Sequence, residues 1–293
     1  MNTTTLTTRL TLYEKLMRLD KPVGILLLLW PALWALWIAG KGRPDMVIVW
    51  IFVIGAVLMR SAGCIVNDIA DRDFDRHVAR TRERPITAGL VSVQEAILLA
   101  LVLTLLAFVL VLHTNLLTVI LSAVALLFAV TYPYTKRFLA LPQVYFGITF
   151  GFGVPMAFAA QTGTVPPIAW VLMLANLFWA FAYDTAYAMV DRDDDLKIGI
   201  RTSAITLGRH DVTGFTVCQG LFLLTMIGAG WWLASGWLYY FGLIAAAALV
   251  RYQVELVATR ERDRCFRAFM NNIAVGGVVF LGILGDSYFR VPL

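Results

Sequence analysis

Nine stretches of 17 to 23 residues, each poor in charge, recur along this chain and limit what it can fold into. They cover about 23–39, 46–66, 93–112, 115–132, 143–160, 167–189, 212–234, 237–256 and 270–289. A helix needs about 20 apolar residues to cross the hydrocarbon core of a bilayer. In hydrocarbon every backbone N–H and C=O must be satisfied internally, so a run of this length reads as a helix. The expectation is an all-α, polytopic membrane protein of about nine transmembrane helices. Composition agrees. The chain is 60% hydrophobic and only 15% charged, against about a quarter charged for a soluble chain. Pro31 and Pro155 fall inside runs and predict kinks. The break between the third and fourth runs is only His113-Thr114-Asn115.

Basic residues set the orientation. With the amino terminus in the cytoplasm, 20 of the 24 Lys and Arg fall on the cytoplasmic side. The opposite side carries Lys41, Arg43 and Arg290, and Arg60 lies within a span. This asymmetry favours an odd number of spans and an amino terminus inside. The cytoplasmic connections are long and charged, whereas those on the other face are short, which puts chemistry on the cytoplasmic face. The first ten residues are Thr-rich, with no apolar core and no small-residue cleavage site, and do not read as a secretory signal. Three cysteines and three histidines are scattered. They suggest no zinc or haem site, and the cysteines read as small buried hydrophobes. Nothing in the sequence suggests a nucleic-acid partner.

Two acidic clusters end apolar runs on the cytoplasmic side: Asn67-Asp68-Ile69-Ala70-Asp71-Arg72-Asp73-Phe74-Asp75 and Asp191-Arg192-Asp193-Asp194-Asp195. Asn67, Asp71 and Asp75 are four apart and share a helical face. Asp184, Asp191 and Asp195 are spaced seven and four apart and do the same. Crowded carboxylates repel one another, and divalent cations relieve the conflict. Hard oxygen ligands suit Mg²⁺, which takes one or two carboxylates and completes its shell with water and substrate phosphate. The nearby loops supply Arg72, Arg76, Arg80, Arg82 and Arg84, then Lys136 and Arg137, then Arg192, Lys197 and Arg201. Positive-inside bias accounts for most of these. Cations beside Mg²⁺ also suit a diphosphate, whose charge grows as it departs. Arg60 lies seven residues before Asn67, on the same face and deeper in the membrane. Charge at that depth is costly and usually faces a cavity. Arg60 either snorkels to the interface or meets an anionic substrate group below the metals.

Asn67-Asp68-x-x-Asp71-x-x-x-Asp75 and Asp191-x-x-x-Asp195 resemble the two aspartate motifs of the UbiA family of intramembrane prenyltransferases, and Tyr132-x-x-x-Lys136 resembles its third motif. The opening Arg18-Leu19-Asp20-Lys21-Pro22-Val23-Gly24, with Leu29-Trp30-Pro31 after it, is similar to the branch that prenylates 4-hydroxybenzoate. So is Tyr183-Asp184-Thr185-Ala186-Tyr187-Ala188. The resemblance covers essentially the whole chain, read as one domain over 1–293. A second basic loop after the second cluster hints at an internal four-helix duplication.

The resemblance implies a central cavity capped by cytoplasmic loops and open to the lipid bilayer. It implies Mg²⁺ held by Asp71, Asp75, Asp191 and Asp195 with Asn67 beside them, the four aspartates being the catalytic set. Arg72, Lys136, Arg137, Lys197 and Arg201 are the expected diphosphate-binding residues. Arg60 is expected at the acceptor carboxylate. Asp191 is a candidate for orienting or deprotonating the phenol, and those two roles stay open. The implied reaction joins the polyprenyl group of a polyprenyl diphosphate to 4-hydroxybenzoate, ortho to the hydroxyl, in ubiquinone synthesis at the bacterial cytoplasmic (inner) membrane. The alternatives are another acceptor (a naphthoate, homogentisate, a haem or a chlorophyllide) or an ion-coupled transporter. A transporter would hold its acids near mid-membrane rather than at the mouths of spans. The Asp-Gly-x-x-Ala-Arg pattern of CDP-alcohol phosphotransferases is absent from the sequence.

Overall fold

A computed structural model describes residues 3–76 and 81–290, and every regular element among them is helical. In chain order these are α1 (Thr3–Met17), α2 (Val23–Ala39), α3 (Met46–Asp75), α4 (Val93–Val111), α5 (Leu116–Thr135), α6 (Pro142–Gly151), α7 (Gly153–Thr162), α8 (Pro167–Ile198), α9 (Ser203–Thr206), α10 (Asp211–Trp232), α11 (Trp237–Val257) and α12 (Arg262–Arg290). Among the described residues, eight stretches are long and apolar enough to cross a membrane, α6 and α7 counting together as one. The 17-residue α2 is a shorter apolar helix. The protein is therefore a multi-pass membrane protein, and each of the nine runs has become helix.

The helix ends follow local chemistry. Asn115 resolves the short break: its side chain accepts from Thr118 N at 3.0 Å and so caps α5. Ser92 caps α4 by accepting from Glu95 N at 3.2 Å, and Asp45 caps α3 by accepting from Val47 N at 2.8 Å. Pro155 has no N–H to give to the carbonyl of Gly151, and its ring crowds that carbonyl. Accordingly α6 stops at Gly151 and α7 restarts at Gly153. The two motif helices overrun the membrane. α3 has 30 residues and α8 has 32. At 1.5 Å per residue they extend roughly 45 Å and 48 Å, against a hydrocarbon core of about 30 Å. Their last turns therefore stand above the lipid, and they carry the acidic clusters.

The centre is aromatic. Trp34, Trp179 and Phe222 pack with ring centroids 5.2 to 6.1 Å apart, and the Trp34 indole donates to Gly276 O at 3.1 Å. α11 and α12 touch backbone to backbone at Gly242 and Gly282, where any Cβ on Gly242 would come within 2.8 Å of the Gly282 Cα. Small residues permit such approach where lipid supplies no hydrophobic drive. Buried amides tie the same helices: Trp179 to Asn272 at 2.8 Å, Gln219 to Gln253 at 3.0 Å and Gln253 to Asn271 at 2.9 Å. By contrast α4 and α5 leave long apolar side chains such as Leu98, Leu101, Leu105, Leu116 and Leu127 exposed. Helices that are apolar all round face lipid. Trp231, Trp232 and Trp237 are exposed at the α10–α11 turn, on the face opposite the acidic clusters, as interfacial tryptophans are.

The Thr-rich amino terminus, to which no structure was assigned from sequence, forms α1. Leu16 is buried, Arg9 donates to Leu90 O at 3.1 Å, and Tyr13 bonds Glu95. These contacts lay the helix across the cytoplasmic end, beside the motif of α3.

Candidate active site

A cavity of about 1130 Å³ runs inward from the cytoplasmic end. Because α3 and α8 stay helical through their motifs, the four-residue spacing becomes a column on each. Asn67, Asp71 and Asp75 on α3, and Asp184, Asp191 and Asp195 on α8, all line this cavity.

The first column is embedded in cations. Asp71 bonds Lys136, while its other oxygen is buried without a partner among the described residues. Arg84 donates to Asp75 at 2.6 Å and to Asp68 at 3.0 Å. Asp68 also accepts from Arg18 at 2.6 Å. Arg18 has a left-handed backbone, φ 54°, which ends α1 and turns the chain toward α2. Burial alone would weaken the Arg18 cation, but Asp68, then Cys64 and Tyr187, outweigh it and raise its pKa.

Of the acids on α8, those of the column line the cavity. Asp194 turns away to Lys197 at 3.4 Å and Arg262 at 3.2 Å. Arg192 bonds the fully buried Asp211 at 3.0 Å, and Arg260 bonds the same carboxylate at 2.6 Å. These ties fasten the end of α8 to the start of α10 and to the α11–α12 loop.

Of the five basic residues expected at a diphosphate, Lys136 and Arg201 line the cavity. Arg72, Arg137 and Lys197 do not line it. Arg72 pairs with Asp73 at 3.3 Å. Arg137 donates to Ala70 O at 2.8 Å and lies over the rings of Phe74 and Tyr134. The Lys197 side chain is 74% exposed beside Asp194. Arg72 is one residue from Asp71 and Lys197 two from Asp195, so each is rotated off the inward face by about 100° or 200°. Arg80 lies outside the described residues.

Arg60 faces the cavity on α3. One terminal nitrogen donates to Cys64 Sγ at 2.8 Å, the guanidinium lies 6.0 Å from the Phe150 ring, and Nε is buried without a partner among the described residues. Gly24 on α2 makes room for it, since a Cβ there would collide with the guanidinium.

The donor set suits a hard divalent cation: carboxylate and amide oxygens, with one buried Asp71 oxygen uncommitted. Among the described residues no three acidic, histidine or cysteine side chains converge on one point. Mg²⁺ does not require that, because it fills its shell with water and substrate phosphate.

Asp68, Arg18 and Arg84 form a network that the motif spacing did not reveal. Asp68 lies off the column, and its partners are 50 and 16 residues away in sequence.

The model of the UbiA prenyltransferase family matches residues 28–275. The chain belongs to this family. It is 61% identical to the 4-hydroxybenzoate octaprenyltransferase of Thiobacillus denitrificans, across 96% of each chain. It is 59% identical to that of Nitrosomonas europaea, across 96% of this chain and 97% of the relative. Among solved structures, the fold is similar to the apo UbiA homolog from Aeropyrum pernix K1, with a TM-score of 0.77 and 24% identity over 88% of this chain and 97% of that one. It is also similar to a UbiA homolog from Archaeoglobus fulgidus bound to GPP and Mg²⁺, with a TM-score of 0.69 and 16% identity over 92% and 99% of the two chains.

Proposed function

We propose that this UbiA-family protein is a 4-hydroxybenzoate polyprenyltransferase. It transfers the polyprenyl group of a polyprenyl diphosphate to the ring of 4-hydroxybenzoate, ortho to the hydroxyl, and releases diphosphate in ubiquinone biosynthesis. One observation carries this reading beyond the likeness to named relatives: the cavity offers anion-binding groups at two depths. Asn67, Asp71, Asp75, Asp191 and Asp195 with Lys136, Arg84 and Arg201 stand at the mouth, and Arg60 stands below them.

In this reading Asp71, Asp75, Asp191 and Asp195, with Asn67 beside them, hold Mg²⁺. When bound, the metal neutralises the diphosphate and stabilises the charge that grows as it leaves. Lys136 and Arg84 neutralise Asp71 and Asp75 in the free protein. Lys136, Arg84 and Arg201 line the same cavity and would supply charge-assisted hydrogen bonds to the phosphate oxygens. Arg60 takes the acceptor carboxylate. Apolar walls such as Leu27, Phe52, Met156 and Phe269 keep water from the allylic fragment as it gains cationic character. The chain acts as one domain in the bacterial cytoplasmic membrane with its amino terminus inside, and its lipid-facing helices suit a long prenyl tail.

The test is a membrane assay in which one polyprenyl diphosphate is offered with 4-hydroxybenzoate, dihydroxynaphthoate and homogentisate, and the product mass is measured. A prenylated 4-hydroxybenzoate is expected. A product from another acceptor only, or ion flux without diphosphate release, would overturn the reading.

A further inference from the structure

We infer that Asp184 receives the phenol end of the acceptor and takes its proton during transfer, opposite Arg60 at the carboxylate end. The inference rests on the reading of 4-hydroxybenzoate as acceptor and deepens it.

Asp184 is half-buried on α8, seven residues before Asp191, so it faces the same cavity two turns deeper. Arg60 lies seven residues before Asn67 on α3 and occupies the matching depth. The two helices thus place one cation and one carboxylate on facing walls, about 10 Å below the metal-side residues. Arg60 attracts Asp184, as does Lys136. No ion pair forms with either among the described residues: Arg60 bonds Cys64, and Lys136 bonds Asp71. A gap therefore remains between the opposite charges.

Aromatic rings line the same cavity. Phe146 packs against Phe150 with centroids 4.0 Å apart, against Tyr132 at 5.2 Å and edge-on to Tyr183 at 5.8 Å. The Tyr183 hydroxyl is buried without a partner among the described residues and also lines the cavity. Gln143 adjoins Asp184. Its carbonyl oxygen accepts from Ser203 N at 2.9 Å, which fixes the amide.

Charge then orients the acceptor. With its carboxylate toward Asp184 the molecule would meet a like charge. Turned the other way, the carboxylate meets the Arg60 fork and the hydroxyl meets Asp184. The ring lies across the cavity, and its carbon ortho to the hydroxyl faces up toward the allylic carbon.

The proton inventory closes. Asp184 accepts the phenol proton as the ortho carbon bonds the allylic carbon and the allylic C–O bond to diphosphate breaks. The resulting dienone loses its ring proton to diphosphate or water and becomes a phenolate. The phenolate recovers a proton from Asp184. One proton leaves with the diphosphate, and Asp184 ends as it began.

Benzoate, which lacks the hydroxyl, separates the two ends of the acceptor. The experiment uses the full chain in lipid and compares wild type, Asp184→Asn, Asp184→Glu and Arg60→Ala. For Asp184→Asn, kcat with 4-hydroxybenzoate should fall about 100-fold or more, the scale of general-base loss. The donor KM, the Mg²⁺ midpoint and the inhibition constant of benzoate should stay unchanged. Asp184→Glu should regain part of the rate, and Arg60→Ala should weaken benzoate. The inference fails if Asp184→Asn keeps its kcat, if it shifts the donor KM or Mg²⁺ midpoint instead, or if it weakens benzoate as Arg60→Ala does. If Asp184→Asn does not fold, Asp184→Ser takes its place, and an unchanged kcat or weakened benzoate in that variant overturns it equally. A wild-type protein that makes no product from 4-hydroxybenzoate sinks the acceptor assignment itself, and this inference with it.

Discussion

Asp68 stands in the middle of the first aspartate motif, yet its surroundings are those of a structural clasp. Its side chain is 2% exposed and accepts from both Arg18 and Arg84, whose side chains are 25% and 16% exposed. Asp68→Asn keeps the shape and removes the charge. Two hydrogen bonds between opposite charges, each worth about 1.5–3 kcal/mol, keep their cationic donors but lose the anionic acceptor and with it roughly 1 kcal/mol apiece. Arg84 keeps Asp75 at 2.6 Å, so only Arg18 loses its sole carboxylate among the described residues. Arg18 is a quarter exposed and regains some hydration, which brings the cost to about 2 kcal/mol. For a chain of this size that lowers the melting temperature by roughly 3–4 °C. The assay pairs thermal unfolding of detergent-solubilised protein with a Mg²⁺ titration of activity. The expected result is a lower melting temperature with the Mg²⁺ midpoint unmoved. An unchanged melting temperature with a midpoint raised as far as in Asp71→Asn would make Asp68 a metal-side ligand and refute the clasp.

Asp71→Ala and Asp191→Ala should each abolish turnover while the protein remains in the membrane, and excess chelator should do the same to wild type. Retained turnover in either variant would remove that residue from the metal set. Arg60→Lys supplies charge without the fork and should lower kcat/KM for 4-hydroxybenzoate by about ten- to a hundred-fold, the loss of one charge-assisted contact. Its donor KM should hold, and a raised donor KM would move Arg60 to the diphosphate. For topology, a cysteine at exposed Arg82 should react only from the cytoplasmic side and one at Gly163 only from the other. Native Cys265 is fully buried and should stay silent from both sides. Labelling of both introduced cysteines from one side would break the nine-segment arrangement.

The spans were legible because lipid asks for one simple property over a known length. The two columns were legible too, since a four-residue spacing keeps its meaning wherever the helix continues, and α3 and α8 do continue past the apolar runs. Side chains next to a column were harder to place. Arg72 and Lys197 look equivalent to Arg84 and Lys136 in a one-dimensional reading, and rotation about the helix turns them outward. Asp68 was hidden for the same reason and because Arg18 reaches it only after α1 folds across the mouth. Nothing in the Thr-rich start announces α1, which is held by tertiary contacts at Leu16, Arg9 and Tyr13 rather than by propensity. The break at Phe152 was half legible. Pro155 predicted a kink, and the helix parts three residues earlier because the carbonyl that proline fails to bond is that of Gly151.

The outward faces of α4 and α5 answer to lipid alone, and this sets how freely their sequence can drift. Lipid rewards apolar character and is indifferent to shape, so Leu, Ile, Val, Phe and Met are nearly interchangeable at Leu98, Leu105, Leu116 and Leu127. On α8 every turn meets packed helix, cavity or cap. A saturation-mutagenesis map of this chain should therefore show α4 and α5 as a tolerant band, broken only where a charge is introduced. The buried and cavity-facing residues of α8 should be written in much stricter terms.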